Sequence, residues 1–153
     1  MSKICSFLGN AKIWLQNEVA ENLKSTLVRL IKDEQVDTFY VGTKGDFELL
    51  AHKIVTLLQH DYPHIKIWLI IAYTEDLHKC RYSFDEFFYP TLSELGYKRW
   101  SISKRNDWII ENTDYIIACN QYEGRAFKFC QKAIRKNKTV IEIGKNPIET
   151  DCK

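Results

Sequence analysis

The sequence predicts an α/β domain with a Rossmann-like, five-stranded parallel sheet and helices on both faces. Three observations lead there. Short apolar runs alternate with helical amphipathic stretches along the whole chain. Two of these runs stop at a glycine, at Gly9 and Gly42. The run from Ile67 to Tyr73 is apolar almost without interruption, as in a strand covered on both faces.

The elements follow in order. Lys3 to Leu8 is the first strand, ended by Gly9-Asn10. From Asn17 to Asp33, Val19, Leu23, Leu27, Leu30 and Ile31 recur at helical spacing. Asp37 to Val41 is the second strand. The helix from Asp46 to His60 carries Phe47, Leu50, Ile54, Leu57 and Leu58 on one stripe, and Pro63 closes it. Lys66 to Tyr73 is the third strand. The stretch from Thr74 to Ser101 is irregular, aromatic and broken by Pro90 and Gly96, so a long loop with a short helix near Phe84 to Phe88 is expected. A helix from Ser103 to Asn112, a strand from Tyr115 to Cys119, a helix from Glu123 to Lys136 and a strand from Thr139 to Ile143 complete the set. Residues 1–145 are expected to form the domain, and 146–153 a polar tail.

Composition narrows the function. A chain of 153 residues suits one core, and 45% hydrophobic content is ordinary for a globular domain. The formal net charge is only +2, with both signs mixed, which disfavours a nucleic-acid partner. No run approaches the roughly 18–20 apolar residues that span a bilayer, so no membrane partner is expected. The start, Met-Ser-Lys-Ile-Cys, enters a strand directly and lacks signal-peptide architecture; a cytoplasmic location is expected. Five cysteines form no Cys-x-x-Cys pair, and four histidines show no ligand spacing, so neither a metal nor a cofactor is expected. A domain of this type and size is also expected to be a homo-oligomer, with the aromatic segment from Tyr82 to Trp100 as one candidate surface.

In open parallel sheets, ligands sit outside the carboxyl ends of the strands, where the strand order switches. The residues in those loops are therefore the candidate site. They are Gly9 and Asn10 after the first strand, and Gly42, Thr43, Lys44, Gly45 and Asp46 after the second. Tyr73 follows the third, and Glu123, Gly124, Arg125 and Ala126 follow the fourth. A helix N-terminus offers unpaired N–H groups and partial positive charge, and glycine lets a phosphate approach it. Arg105 and Asn106 are added because an Arg at a helix start opposes the dipole unless it reaches an anion. Each has a plainer reading too: the glycines permit turns, Asp46 caps a helix, and Arg105 pairs with Asp107.

Several segments together resemble small bacterial SLOG-family proteins. Tyr40-Val41-Gly42-Thr43-Lys44-Gly45-Asp46-Phe47-Glu48 is similar to the family's Tyr-Val-Gly-x-x-Gly-x-Phe-Asp segment. Tyr62-Pro63-His64-Ile65 and Ile70-Ile71-Ala72-Tyr73 are similar to the part that follows, and Lys104-Arg105-Asn106-Asp107-Trp108 to its Lys-Arg-Asn-x-Trp-Met helix. The resemblance implies a Rossmann-like fold within the superfamily that holds LOG phosphoribohydrolases and DprA-type proteins. It implies binding of a nucleotide or an ADP-ribose-like ligand, as a sensor or a sequestering protein, in some relatives within phage defence.

The alternative is a nucleotide N-glycosidase or phosphoribohydrolase related to the LOG enzymes. These carry Pro-Gly-Gly-x-Gly-Thr-x-x-Glu after the fourth strand. The present chain has Tyr122-Glu123-Gly124-Arg125-Ala126-Phe127 there, with one glycine of the pair and no Glu downstream at the catalytic spacing. Glu48 and Glu123 remain the candidate catalytic carboxylates, with Asp46 behind them.

Overall fold

A computed structural model of the chain describes residues 2–90 and 101–144. The elements are β1 (Lys3–Gly9), α1 (Gln16–Asp33), β2 (Val36–Val41), α2 (Asp46–Asp61), β3 (Lys66–Ile70), α3 (Asp76–Lys79), β4 (Glu86–Phe88), α4 (Ser101–Glu111), β5 (Tyr115–Cys119), α5 (Arg125–Arg135) and β6 (Thr139–Glu142). The strands form one sheet in the order β4-β3-β2-β1-β5-β6, and every pairing is parallel.

The two sides of the sheet follow from the period-2 pattern of the strands. Cys5 and Phe7 of β1, Phe39 and Val41 of β2, and Ile117 and Cys119 of β5 face one core, with Val19, Leu23 and Leu27 of α1 and Phe47, Ala51 and Val55 of α2. Leu8, Ile116 and Ala118 face the other side, against Ile110 of α4 and Cys130 and Ala133 of α5. Tyr40 and Ile70 meet Ile109 on that second side. Fully burying one such Leu, Ile or Phe side chain contributes about 1.5–3 kcal/mol, so the alternation fixes the register of each strand.

The sheet has six strands rather than the expected five. Glu86–Phe88 forms an edge strand beside β3, with Leu69 opposite Phe87, where a short helix was expected. All three of its residues are exposed, so no buried face marks it in the sequence; backbone pairing alone makes it a strand. The short helix of this region lies earlier, at Asp76–Lys79. The expected tail at 146–153 and much of the aromatic segment up to Trp100 lie outside the described residues.

From β1 the chain steps outward through β2, β3 and β4, then returns to β5 on the other side of β1 and ends at β6. The loops after β1 and β5 therefore part in opposite directions, and the crevice between them is the switch point. No described helix is long and apolar enough to cross a membrane.

Candidate functional site

Asn10 holds the two edges of this crevice together. Its side-chain carbonyl accepts N–H bonds from Gln121 (2.7 Å) and Tyr122 (3.4 Å), and its amide donates to the Tyr122 carbonyl (3.2 Å). Its own N–H donates to the Cys119 carbonyl at 3.1 Å. Asn10 is buried, so these bonds satisfy polar groups that water does not reach. Gln121 makes a second clamp: its Oε1 accepts from the Trp14 N–H (2.6 Å) and its Nε2 donates to the Trp14 carbonyl (2.8 Å).

Asp46 braces the same region from α2. Its Oδ2 accepts from the Ile13 N–H (3.2 Å) and from Gln16 Nε2 (3.4 Å), and its N–H donates to the Ala11 carbonyl at 2.6 Å. The N-cap of α2 is Gly45, so Asp46 ties two loops together instead of capping the helix. Gly45 sits at φ +88°, a conformation suited to glycine, with the Ala11 backbone 3.2 Å from where a Cβ would be.

Three other glycines of these loops divide into two kinds. A Cβ at Gly9 would lie 2.3 Å from the Phe47 ring, and one at Gly42 would lie 2.4 Å from Arg105 Nη2 and 2.8 Å from Glu48 Oε1. Both make room for the protein's own side chains. Gly124 is different. Its φ of −165° suits any residue, and among the described residues an added Cβ would meet only Asn10 and Tyr122, at 3.7 and 3.8 Å. Among the described residues nothing requires a glycine there, and its bareness leaves the crevice open at the start of α5.

That crevice is a cleft of about 420 Å³. Of the sequence-predicted residues, Gly9, Asn10, Lys44 and Gly45 line it from the first two loops. Asn106, Gly124, Arg125, Ala126 and the carboxylate-bearing Glu48 line it from the helices. Thr43 and Arg105 instead line an adjoining hollow of about 60 Å³, which shares Lys44, Glu48 and Asn106 with the cleft. Gly42, Asp46, Tyr73 and Glu123 line neither. Glu123 is exposed, ahead of α5.

Arg105 does not open a helix, and its partner is not Asp107. It lies within α4, 6% exposed, with Nε on the Ile70 carbonyl (2.9 Å), Nη1 on Asn106 Oδ1 (2.8 Å) and Nη2 on Glu48 Oε1 (3.0 Å). Asp107 pairs with Lys132 of α5. The guanidinium thus joins β3, α4 and α2 into one wall of the site.

Lys44 is the half-exposed cation of the second loop. Its ammonium lies 3.8 Å from Asp76 Oδ1 and 4.4 Å from the centroid of the Tyr73 ring. Asp76 is buried; its Oδ2 accepts from the N–H groups of Ala72 (3.3 Å) and Tyr73 (3.1 Å), closing the end of β3. Among the described residues its Oδ1 has no hydrogen bond, only the Lys44 ammonium at 3.8 Å.

Sequence reasoning missed Asp76, Ile102 and Trp14. Asp76 acts on residues three and four positions before it, which resembles an ordinary turn in sequence. Ile102 falls on the cleft side of α4, a position the apolar pattern does not distinguish. Trp14 follows an apolar residue in a loop, and nothing local shows that its ring faces outward. Among the described residues no group of three or more His, Cys, Asp or Glu is gathered to hold a metal.

The arrangement offers an anion three features at one end of the cleft: the N-terminus of α5, the Arg125 side chain, and a glycine that leaves the backbone bare. Among the described residues no side chain caps that helix start. A dipole end and a cation together favour a phosphate or carboxylate over a neutral group.

No protein-family model matches the chain, and no curated protein sequence does. Among solved structures, the chain is similar to a Moco carrier protein from Chlamydomonas reinhardtii, with a TM-score of 0.55 and 13% identity over 96% of this chain and 79% of that one. At this identity the likeness speaks for the architecture alone: the chain has a Rossmann-like α/β fold, as that protein does.

Proposed function

We propose that the chain binds a phosphate-bearing, nucleotide-like small molecule in the switch-point cleft and holds it without turning it over. The observation that carries this reading is Gly124, which no described residue requires to be a glycine, at the N-terminus of α5 beside Arg125, where no described side chain forms a cap. Phosphate sits at Gly124, Arg125 and Ala126, and Lys44 reaches in from the opposite loop. Asn10, Gly45, Asp46 and the Arg105–Glu48 pair hold the walls in place. The likeness to a protein named as a carrier fits such a role, as does the SLOG-like motif series. On this reading the chain is a cytoplasmic sensor, carrier or sequestering protein, working as a homo-oligomer, and an ADP-ribose derivative is the first ligand to try.

A second reading, N-glycosidic hydrolysis, has one observation in its favour: Glu48 lines the cleft. Against it, Glu48 Oε1 is engaged by Arg105 at 3.0 Å, and Glu123 does not line the cleft. Melting curves with AMP, NAD and ADP-ribose, followed by chromatography of each ligand after incubation, separate the two. A ligand at 100 times its Kd adds about 2.7 kcal/mol to stability. Stabilisation with intact ligand supports binding alone. Cleaved ligand replaces it with the hydrolase, and no shift with any of the three removes the nucleotide-like ligand.

A further inference from the structure

Trp14 is 58% exposed, yet its main chain is firmly held. The buried Gln121 side chain clamps both its N–H and its carbonyl, at 2.6 and 2.8 Å. The next residue, Leu15, lies at φ 56°, in the left-handed region that a leucine adopts only at a cost. The outward indole is therefore imposed by the structure around it and is not the slack of a loose loop. Strain of this kind gathers where a side chain is being presented.

The indole does not stand alone. It meets the Tyr122 ring edge to face, at a centroid distance of 5.6 Å and an interplanar angle of 64°. Tyr122 lines the cleft, and its Cε2 lies 3.8 Å from where a Gly124 Cβ would be. Trp14 itself does not line the cleft, but through Tyr122 the two aromatic rings connect its exposed indole to the bare glycine at the start of α5.

We propose that Trp14 is the stacking face for a planar heterocycle on the ligand whose phosphate sits at Gly124 and Arg125. Tyr122 is the edge that steers the ring onto it. The inference rests on the phosphate-cleft reading and sharpens it: the ligand is a phosphate ester that carries a flat aromatic ring, and a sugar phosphate lacking the ring binds poorly. Stacking of a base on an aromatic side chain tolerates different bases, so Trp14 selects for a ring more than for its substituents.

The test compares AMP with ribose 5-phosphate by calorimetry on the wild type, Trp14→Ala and Trp14→Phe. Wild type is expected to bind AMP more tightly than ribose 5-phosphate. Trp14→Ala is expected to lose roughly 5- to 150-fold in AMP affinity while ribose 5-phosphate is unaffected, and Trp14→Phe to keep most of it. AMP should also quench tryptophan emission in the wild type and not in Trp14→Phe, a readout that survives if the alanine variant folds poorly. Equal binding of the two probes, or unchanged AMP affinity in Trp14→Ala, overturns the stacking role and leaves the phosphate cleft standing. A Trp14→Ala protein that changes its oligomeric state but not its AMP affinity assigns the ring to an interface instead. No binding of either probe removes both readings.

Discussion

Arg105 Nη2 and Glu48 Oε1 meet at 3.0 Å in the space that a side chain on Gly42 would occupy. The two residues come from α4 and α2, and both are largely buried. A guanidinium this enclosed needs every partner it has, since a buried unpaired charge is far costlier than a buried pair. The pair is best understood as a rivet in the wall of the cleft, with Gly42 as the hole that admits it.

Arg105→Ala should therefore act on stability first. It leaves Glu48 without its cation and the Ile70 carbonyl without its donor. The expected loss is about 3 kcal/mol, at the lower end for a broken buried pair because Glu48 keeps some solvent. Urea unfolding should show a lower midpoint. A midpoint change worth less than about 1 kcal/mol would mean that the pair is not structural. Gly42→Ala should destabilise in the same direction, by pushing the pair apart.

Gly124→Asn should separate binding from folding. Asn is a favoured N-cap and fits the extended backbone there, so the melting temperature should hold or rise slightly. Its side chain would both fill the cleft and take the N–H groups that a phosphate needs. Affinity for AMP or ADP-ribose should fall at least tenfold, a loss of about 1.4 kcal/mol. Unchanged affinity would place the phosphate elsewhere.

Arg125→Ala should weaken the same ligands while leaving unfolding by urea almost unchanged, because the side chain is exposed and no ion pair of Arg125 is seen among the described residues. The salt dependence of binding should flatten with it, since an exposed cation acts through a screened field. Affinity and salt slope equal to those of the wild type would remove Arg125 from the site.

His52 should make the fold acid-sensitive. Its ring is buried against Tyr82 and bonded through Nε2 to the Ser83 carbonyl at 2.8 Å. Burial holds its pKa below the usual histidine value, only partly offset by that bond. The fold thus favours the neutral ring. The contribution is complete above the unfolded-state pKa of about 6.5 and is lost as pH falls through the lower folded-state value. Urea midpoints of the wild type and His52→Gln should converge as pH drops from 7.5 to 5. Parallel profiles would show that His52 does not titrate on unfolding.

Thiol labelling should follow burial. Burial pushes the Cys119 thiol up to about 12 and raises Cys5 further still, while Cys80 is only half-buried and raised less. A thiolate is the reactive form, so Cys80 should label before Cys5, Cys119 and Cys130 in the native protein at pH 8. Mass spectrometry of partly alkylated protein reads the order directly. Early modification of Cys119 would mean that the sheet beneath the cleft opens.

Much of this molecule is legible in the sequence because much of it is local. The stripe Val19, Leu23, Leu27, Leu30 and Ile31 names the buried face of α1 residue by residue. The glycine that ends β1 and the glycines ahead of α2 and α5 mark the loops that do converge. Alternation of strand and helix then leaves few topologies, and the switch point follows from them.

What those residues do there was decided only by tertiary contacts. The edge strand Glu86–Phe88 has no buried face, so its pairing with β3 has no periodic signal. Gly9 and Gly42 are filled from within by Phe47, Arg105 and Glu48, and Gly124 is not, though all three look alike in the chain. Arg105 finds its carboxylate 57 residues away instead of two. Side-chain periodicity is imposed by the nearest turn of helix or pleat and so can be read locally. The partner of a charge, and the occupant of the space beside a glycine, depend on which distant elements the sheet brings together.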